Sequence, residues 1–162
     1  VTTSQAYLPK DNSRDFAGGE TILDWLRQFA SKEEDDNTFL RGFLGRMLFS
    51  GEEVNKSVNV LSGGEKVRVM LSKLMLLKSN VLVLDDPTNH LDLESISSLN
   101  EGLTNYKGSL LFASHDHEFI QTIANHIIVI SKNGVIDRIG ETYDEFLEND
   151  EVQAKVKALW AD

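Results

Sequence analysis

The sequence contains no cysteine, which excludes disulfide bonds and thiolate metal sites. No apolar run approaches the roughly 20 residues that a membrane-spanning helix requires, and no charged-then-apolar leader opens the chain. Basic residues are scarce, 16 against 26 acidic ones, and the net charge of −10 argues against a broad nucleic-acid-binding surface. The 162 residues, 41% of them hydrophobic, suffice for one domain with a core. We therefore expect a cytoplasmic globular domain.

A helix that begins after Ser62 has the features of an anion-binding terminus. Ser62 and Glu65 form the capping-box pattern, and apolar residues then recur at helical spacing, at Val67, Met70, Leu71, Leu74 and Leu77. Glycine costs about 1 kcal/mol relative to alanine inside a helix, so Gly63 and Gly64 favour a close approach by another group. Free N–H groups and the helix dipole would suit a phosphate. An ordinary capped helix remains the alternative.

Two apolar strands are expected to end at one edge of a parallel sheet. Residues 80–84 lead to Asp85 and Asp86, and residues 109–113 lead, after one serine, to His115. The continuous apolar run of the first strand predicts burial on both faces. Ligands of open α/β sheets bind at the carboxyl ends of strands. The acids could simply start a turn, but adjacent carboxylates repel each other, and a bound Mg²⁺ would offset that repulsion.

The remaining pattern predicts further helices and strands on either side of these motifs. Asp92 is predicted as a helix N-cap, and His117 is predicted to lie at the surface. The expected strands are residues 1–8, 127–130 and 135–139, the last two joined by a turn at Asn133-Gly134. One expected helix carries the apolar residues from Phe39 to Leu48. The other expected helices are residues 20–30, 118–125, 143–149 and 152–160, and the last of these is expected to be a loosely docked tail.

The segment LSGGEKVRVMLSKLMLLKSNVLVLDDPTNHLD, followed by LLFASHDHEF, resembles the nucleotide-binding cassette of an ABC ATPase. Its NHLD and SHDHEF parts are similar to the ABC-F family, over roughly residues 5–149. The resemblance implies an α/β, P-loop NTPase-like fold, with a parallel sheet flanked by helices and an inserted helical subdomain. It places that subdomain, which carries the LSGGE loop, at about 17–60, a core with the Walker B acids and switch histidine at 61–150, and a tail at 151–162.

The resemblance also implies roles for particular residues, with ATP and Mg²⁺ as cofactors. Asp85 would hold Mg²⁺, Asp86 would polarise the attacking water, and His115 would contact the γ-phosphate. The other implied site residues belong to composite surfaces between cassettes. Ser62, Gly63, Gly64 and Glu65 would bind the nucleotide held by the opposite cassette, and Asn89, His90, Leu91 and Asp92 would contact that cassette.

Three features depart from the family pattern. Asp86 stands where the family has a glutamate that is one methylene longer, so we expect slow hydrolysis. Lys10 stands where the family has a glutamine; as a nucleotide-binding candidate it would contact a phosphate, and otherwise it would point into solvent. The sequence contains no G-x-x-x-x-G-K-[ST] motif. We therefore expect a partial cassette without the P-loop strand, which binds ATP weakly by itself and dimerises through an open sheet edge.

The function implied by the resemblance is ATP binding and hydrolysis in an ABC-F protein that lacks a membrane domain. Its expected partners are a second cassette of the same protein and the ribosome, through rRNA or tRNA, in translation. Two alternatives stay open. One is a non-catalytic interaction module that senses nucleotide. The other is a metal-dependent phosphohydrolase with metal ligands at Asp85, Asp86, His90, His115 and Asp116.

Overall fold

A computed structural model describes residues 2–11 and 13–161. Val1 of the predicted first strand, Asn12 of the loop that follows it and Asp162 of the predicted tail lie outside the described residues. The chain forms two compact units, Val1–Ser114 and His115–Asp162. The finer predicted division, with boundaries near residues 60 and 150, stays a prediction. Within the described residues no helix is long and apolar enough to cross a membrane.

The first unit contains a three-stranded parallel sheet. Its strands are β1 (Gln5–Leu8), β2 (Val81–Asp85) and β3 (Ser109–Ala113), and β2 lies in the middle. Leu8 pairs with Leu84, which in turn pairs with Phe112. The predicted parallel arrangement is confirmed, and the carboxyl ends of all three strands lie at one edge of the sheet.

The prediction that β2 is buried on both faces is wrong. Leu82 and Leu84 on one face are buried, whereas Val81 and Val83 on the other face are only half-buried. The neighbours of Val83 explain the difference, because they are Tyr7 and Leu111, which are 54% and 61% exposed. The sheet is therefore covered on one side and open to solvent on the other.

Four helices accompany this sheet: α1 (Ile22–Arg27), α2 (Asn37–Arg46), α3 (Gly63–Leu76) and α4 (Leu93–Thr104). Short 3-10 turns at Ser13–Phe16, Gly51–Asn55 and Val58–Val60 connect them. The helices α1, α2 and α3 pack on one another, and α3 also packs on β1. Their contacts are apolar and fully buried, at Ile22, Leu26, Leu40, Leu44 and Val69. This packing fixes the start of α3 relative to the sheet.

The second unit is a hairpin with helices before and after it. It contains α5 (His117–Ile123), the antiparallel strands β4 (His126–Ser131) and β5 (Gly134–Ile139), then α6 (Tyr143–Glu148) and α7 (Asp150–Trp160). Gly134 has φ +150°, a conformation that favours glycine, at the predicted turn. His117 is exposed, as predicted, and lies 2.9 Å from the Asp144 carboxylate.

The helix α7 is tied to that hairpin, so the expectation of a loosely docked tail is wrong. The Ser131 hydroxyl donates to the Leu159 carbonyl at 3.0 Å, and the Asn133 amide donates to the carbonyls of Leu159 and Ala161. These bonds satisfy carbonyls at the end of α7 that have no partner within the helix. The turn between β4 and β5 thereby caps the helix.

Candidate functional site

A cavity of about 340 Å³ lies where three segments of the first unit meet. The segments are the loop after β1, the loop after β2 and the first turns of α3. Six of the predicted site residues line it: Lys10, Gly63, Asp85, Asp86, Asn89 and His90. The structure therefore brings together groups that are far apart in the sequence, at the carboxyl edge of the sheet.

The two acids occupy different backbone environments. Asp85 is the last residue of β2 and pairs with Ala113. Asp86 has left the strand and has φ +51°, in the left-handed region that aspartate enters more readily than most residues. Its N–H donates to the Ala113 carbonyl at 2.8 Å, which holds the backbone in place. The acidic pair thus ends the strand and turns the second carboxylate into the cavity.

Lys10 forms an ion pair with Asp86. The distance from its Nζ to Asp86 Oδ2 is 3.1 Å, and the lysine side chain is 59% exposed whereas the aspartate side chain is 17% exposed. The sequence suggested a phosphate contact or a solvent-facing side chain for Lys10. The structure instead places its ammonium group on the carboxylate that the family resemblance assigns to catalysis.

The residues after the acids form a tight turn that leads into α4. The Asn89 N–H donates to the Asp86 carbonyl, and the Leu91 N–H donates to the Thr88 carbonyl, both at 3.1 Å. Asp92 then accepts from the Ser95 N–H at 2.8 Å and caps α4, as predicted. Hydrogen bonds from Ser95 hold the pKa of Asp92 below its ordinary value.

The predicted capping box at the start of α3 is present. Ser62 Oγ accepts from the Glu65 N–H at 3.3 Å, and Glu65 accepts from the Ser62 N–H at 2.7 Å. Lys56 adds an ion pair, with Nζ 2.6 Å from Glu65 Oε1. Partial burial opposes ionisation of Glu65, but the bonds from Lys56 and Ser62 outweigh it and lower its pKa. Glu65 therefore organises the helix terminus.

The turn at His90 packs directly against the two glycines of α3. A Cβ on Gly64 would lie 2.7 Å from the His90 carbonyl oxygen, closer than real Cβ atoms come. A Cβ on Gly63 would lie 3.5 Å from the His90 side chain, an ordinary contact. The close approach predicted from the glycines therefore exists, and the approaching group is the backbone of this chain. The two segments assigned to contact a second cassette are neighbours.

Not every predicted residue lies at the cavity. Ser62, Gly64, Glu65, Leu91 and Asp92 are not among the residues that line it, and His115 is the first residue of the second unit. Three polar residues of the lining were not predicted from the sequence: Asp11, Ser13 and Lys66. Asp11 accepts from the Ser13 hydroxyl at 2.6 Å and from its N–H at 3.0 Å, and these bonds lower the Asp11 pKa. An aspartate two residues before a serine is a local turn signal that could have found this pair.

The donor set at the cavity suits a hard cation such as Mg²⁺. Mg²⁺ prefers oxygen ligands and is commonly held by one or two carboxylates together with substrate phosphates, and Asp85 and Asp86 both line the cavity. No group of three or more His, Asp or Glu side chains among the described residues is arranged to hold a metal. The phosphohydrolase alternative stays a hypothesis.

Comparison with known proteins gives matches along the whole chain. The model of a family described as ABC transporter matches residues 4–89. The chain is 63% identical over 163 residues to the Bacillus subtilis (strain 168) ABC transporter ATP-binding protein YkpA, covering 100% of the chain and 30% of that protein. It is 44% identical over 143 residues to the ATP-binding protein YbiT of Escherichia coli O157:H7, covering 88% and 27%.

A third relative is ABC transporter F family member 2 of Arabidopsis thaliana, which is 41% identical over 120 residues, covering 74% of the chain and 17% of that protein. The chain thus spans less than a third of the length of these relatives. Among solved structures, a dimeric ATP-binding cassette in a post-hydrolysis state bound to ADP and Pi has a TM-score of 0.67 at 17% identity, covering 87% of this chain and 65% of that one. This likeness concerns the fold alone, and it confirms the predicted sheet flanked by helices.

Proposed function

The chain belongs to the ABC transporter family of ATP-binding domains, and from this we propose that it works as part of an ATP-hydrolysing cassette in an ABC-F protein. The observation that carries the proposal is the meeting of Asp85 and Asp86 with the start of α3 and the His90 turn around one cavity. Acids at the carboxyl end of a parallel strand are where α/β proteins place ligand chemistry.

The proposed roles are those that the family resemblance implies for each residue. Asp85, at the end of β2, would hold Mg²⁺ directly or through water. Asp86 would orient the attacking water, and His115 would contact the γ-phosphate. Bound Mg²⁺ would neutralise charge on the phosphate oxygens. Because the Asp86 carboxylate is one methylene shorter than glutamate, we expect slow turnover, as suits a timing switch.

The contact between the glycines of α3 and the His90 turn supports the proposed role of a second cassette. Ser62, Gly63 and Gly64 present the start of α3 beside the turn that contains Asn89 and His90. One surface of this chain would therefore offer both segments at once to a nucleotide held by the other cassette. We propose that this second cassette belongs to the same protein.

The ribosome is the proposed site of action, in the cytoplasm and without a membrane domain. The relatives that support this proposal include a member of the ABC transporter F family. The net charge of −10 indicates that other segments of the protein would make most of the contacts with rRNA or tRNA.

A titration with ATP and Mg²⁺ tests the proposal. Isothermal titration calorimetry would compare the ATP affinity of this chain with that of a form extended upstream through a P-loop. The extended form is expected to bind, and Asp85→Asn is expected to remove the dependence of its affinity on Mg²⁺. Asp15→Asn, at an exposed acid in the 3-10 turn after β1, is the matched control.

Two results would contradict the proposal. Equal binding by the short and extended forms would show that the P-loop argument is wrong. An extended form that binds ATP without any effect of Asp85→Asn, and without measurable hydrolysis, would favour the non-catalytic interaction module.

A further inference from the structure

The ion pair between Lys10 and Asp86 places the lysine's positive charge beside the two acids, where the proposed reaction needs Mg²⁺. Lys10 Nζ lies 3.1 Å from Asp86 Oδ2, at the same cavity that Asp85 lines. Adjacent carboxylates repel each other, and any cation placed between or beside them relieves that repulsion. The ammonium group of Lys10 provides this relief from within the chain.

The two partners differ in freedom. The Asp86 carboxylate is largely covered and its backbone is held by the bond to Ala113, whereas the Lys10 side chain is mostly exposed. A lysine ammonium is a compact charge on a flexible four-carbon stem. Lys10 can therefore leave Asp86 without disturbing the sheet, while Asp86 cannot follow it. Ion pairs with an exposed partner contribute little stability, so a divalent cation can displace the lysine.

We propose that Lys10 is an internal counter-cation for Asp86. In the absence of metal the Lys10 ammonium group lies beside the two acids, and it must move away when Mg²⁺ binds. The positive charge of Lys10 thus competes with the metal at this site. The inference rests on the proposed function, because it takes Asp85 as the acid that holds Mg²⁺ and Asp86 as its neighbour at the same cavity. It predicts that two of the three departures from the family pattern, Lys10 and Asp86, act as one unit.

Lys66 provides a matched control for this idea. It lines the same cavity and carries the same charge, but the ammonium group found on Asp86 is that of Lys10. Removing either lysine changes the net charge of the cavity equally. Only removal of Lys10 frees the Asp86 carboxylate from its ion pair.

The test is a titration of the chain with Mn²⁺, a paramagnetic substitute for Mg²⁺, followed by electron paramagnetic resonance without nucleotide. Lys10→Gln is expected to bind Mn²⁺ about two- to fivefold more tightly than the wild type, because a competing charge is removed. Lys10→Arg, which keeps the charge, is expected to bind like the wild type. Lys66→Gln is expected to give a smaller gain than Lys10→Gln.

The substitution Asp86→Asn removes the carboxylate partner of Lys10 and so separates the effect of the ion pair from that of the lysine charge alone. In that background Lys10→Gln is expected to have no larger effect than Lys66→Gln, since the ion pair no longer exists.

Equal gains from Lys10→Gln and Lys66→Gln in the wild-type background would overturn the inference in favour of a general charge effect. Wild-type affinity of Lys10→Gln, with Mn²⁺ binding still lost in Asp85→Asn, would overturn the inference and leave the proposed metal site intact. If no variant binds Mn²⁺, or if Asp85→Asn binds like the wild type, the metal site and the inference both fail.

Discussion

Gly64 is a position where one methyl group would meet the protein backbone. An alanine Cβ there would lie 2.7 Å from the His90 carbonyl oxygen, so the turn after β2 or the start of α3 must shift. Overpacking of this kind costs about 1–3 kcal/mol, which exceeds the gain of about 1 kcal/mol from replacing a helical glycine. We expect Gly64→Ala to lower the free energy of unfolding by about 1 kcal/mol, measured by urea denaturation.

Gly63→Ala is the control for that measurement, because the adjacent position has room. Its added Cβ would lie 3.5 Å from the His90 side chain, an ordinary contact, so its stability is expected to equal or exceed that of the wild type. If Gly64→Ala were as stable as Gly63→Ala, the contact between α3 and the His90 turn would not constrain either segment.

The start of α3 depends on the charge of Glu65, and this makes its stability depend on pH. The pKa of Glu65 lies below its ordinary value of 4.5 in the folded state. Its contribution to stability is therefore complete above about pH 4.5 and is lost as the pH falls through the lower, folded-state pKa. We expect Glu65→Gln to lower the free energy of unfolding by about 1 kcal/mol at about pH 7, because it loses the charged partner of Lys56. The difference from the wild type should shrink below about pH 4.5, as followed by urea denaturation across the acid range.

Glu145→Gln is the matched control at another helix. Glu145 completes the same kind of capping box at the start of α6, and among the described residues its side-chain hydrogen bonds are with Thr142. Glutamine can still accept the capping hydrogen bond in both helices. A loss of stability from Glu145→Gln as large as that from Glu65→Gln would show that the ion pair with Lys56 contributes nothing.

The elements that the sequence predicted well are those specified by local rules. Ser62 and Asp92 were assigned as helix caps from the residues that follow them, and both form the expected bonds. The strands of the parallel sheet were likewise evident from short apolar runs bounded by polar residues. Local spacing alone was therefore enough to place the acids at the edge of the sheet.

The features that the sequence did not predict depend on contacts between distant segments. The position of Lys10 on Asp86 results from the pairing of β1 with β2, and a sequence pattern carries no signal for it. The half-buried face of β2 has a similar cause. Its apolar residues are typical of a strand covered on both sides, but coverage is decided by what packs on the neighbouring Tyr7 and Leu111.

The sheet of the first unit has an edge and a face that both favour self-association. Within the described residues, β3 pairs with β2 on one side only, and its central residue Leu111 is 61% exposed beside the half-buried Val83. An unpaired strand edge offers free N–H and C=O groups to a second chain, and exposed apolar residues beside it strengthen the pairing. We expect this chain to form dimers whose population rises with concentration, as measured by sedimentation velocity.

Leu111→Lys is expected to shift that equilibrium toward the monomer, because a lysine on an edge strand opposes the approach of a second sheet. Ile139→Lys is the matched control, since Ile139 is also an exposed apolar residue but lies on β5 of the second unit. A dimer weakened by Leu111→Lys and unchanged by Ile139→Lys would place the contact on β3. Equal weakening by both changes would indicate general apolar association. A monomer at every concentration would contradict the prediction and show that neither the edge nor the exposed face of this sheet drives self-association.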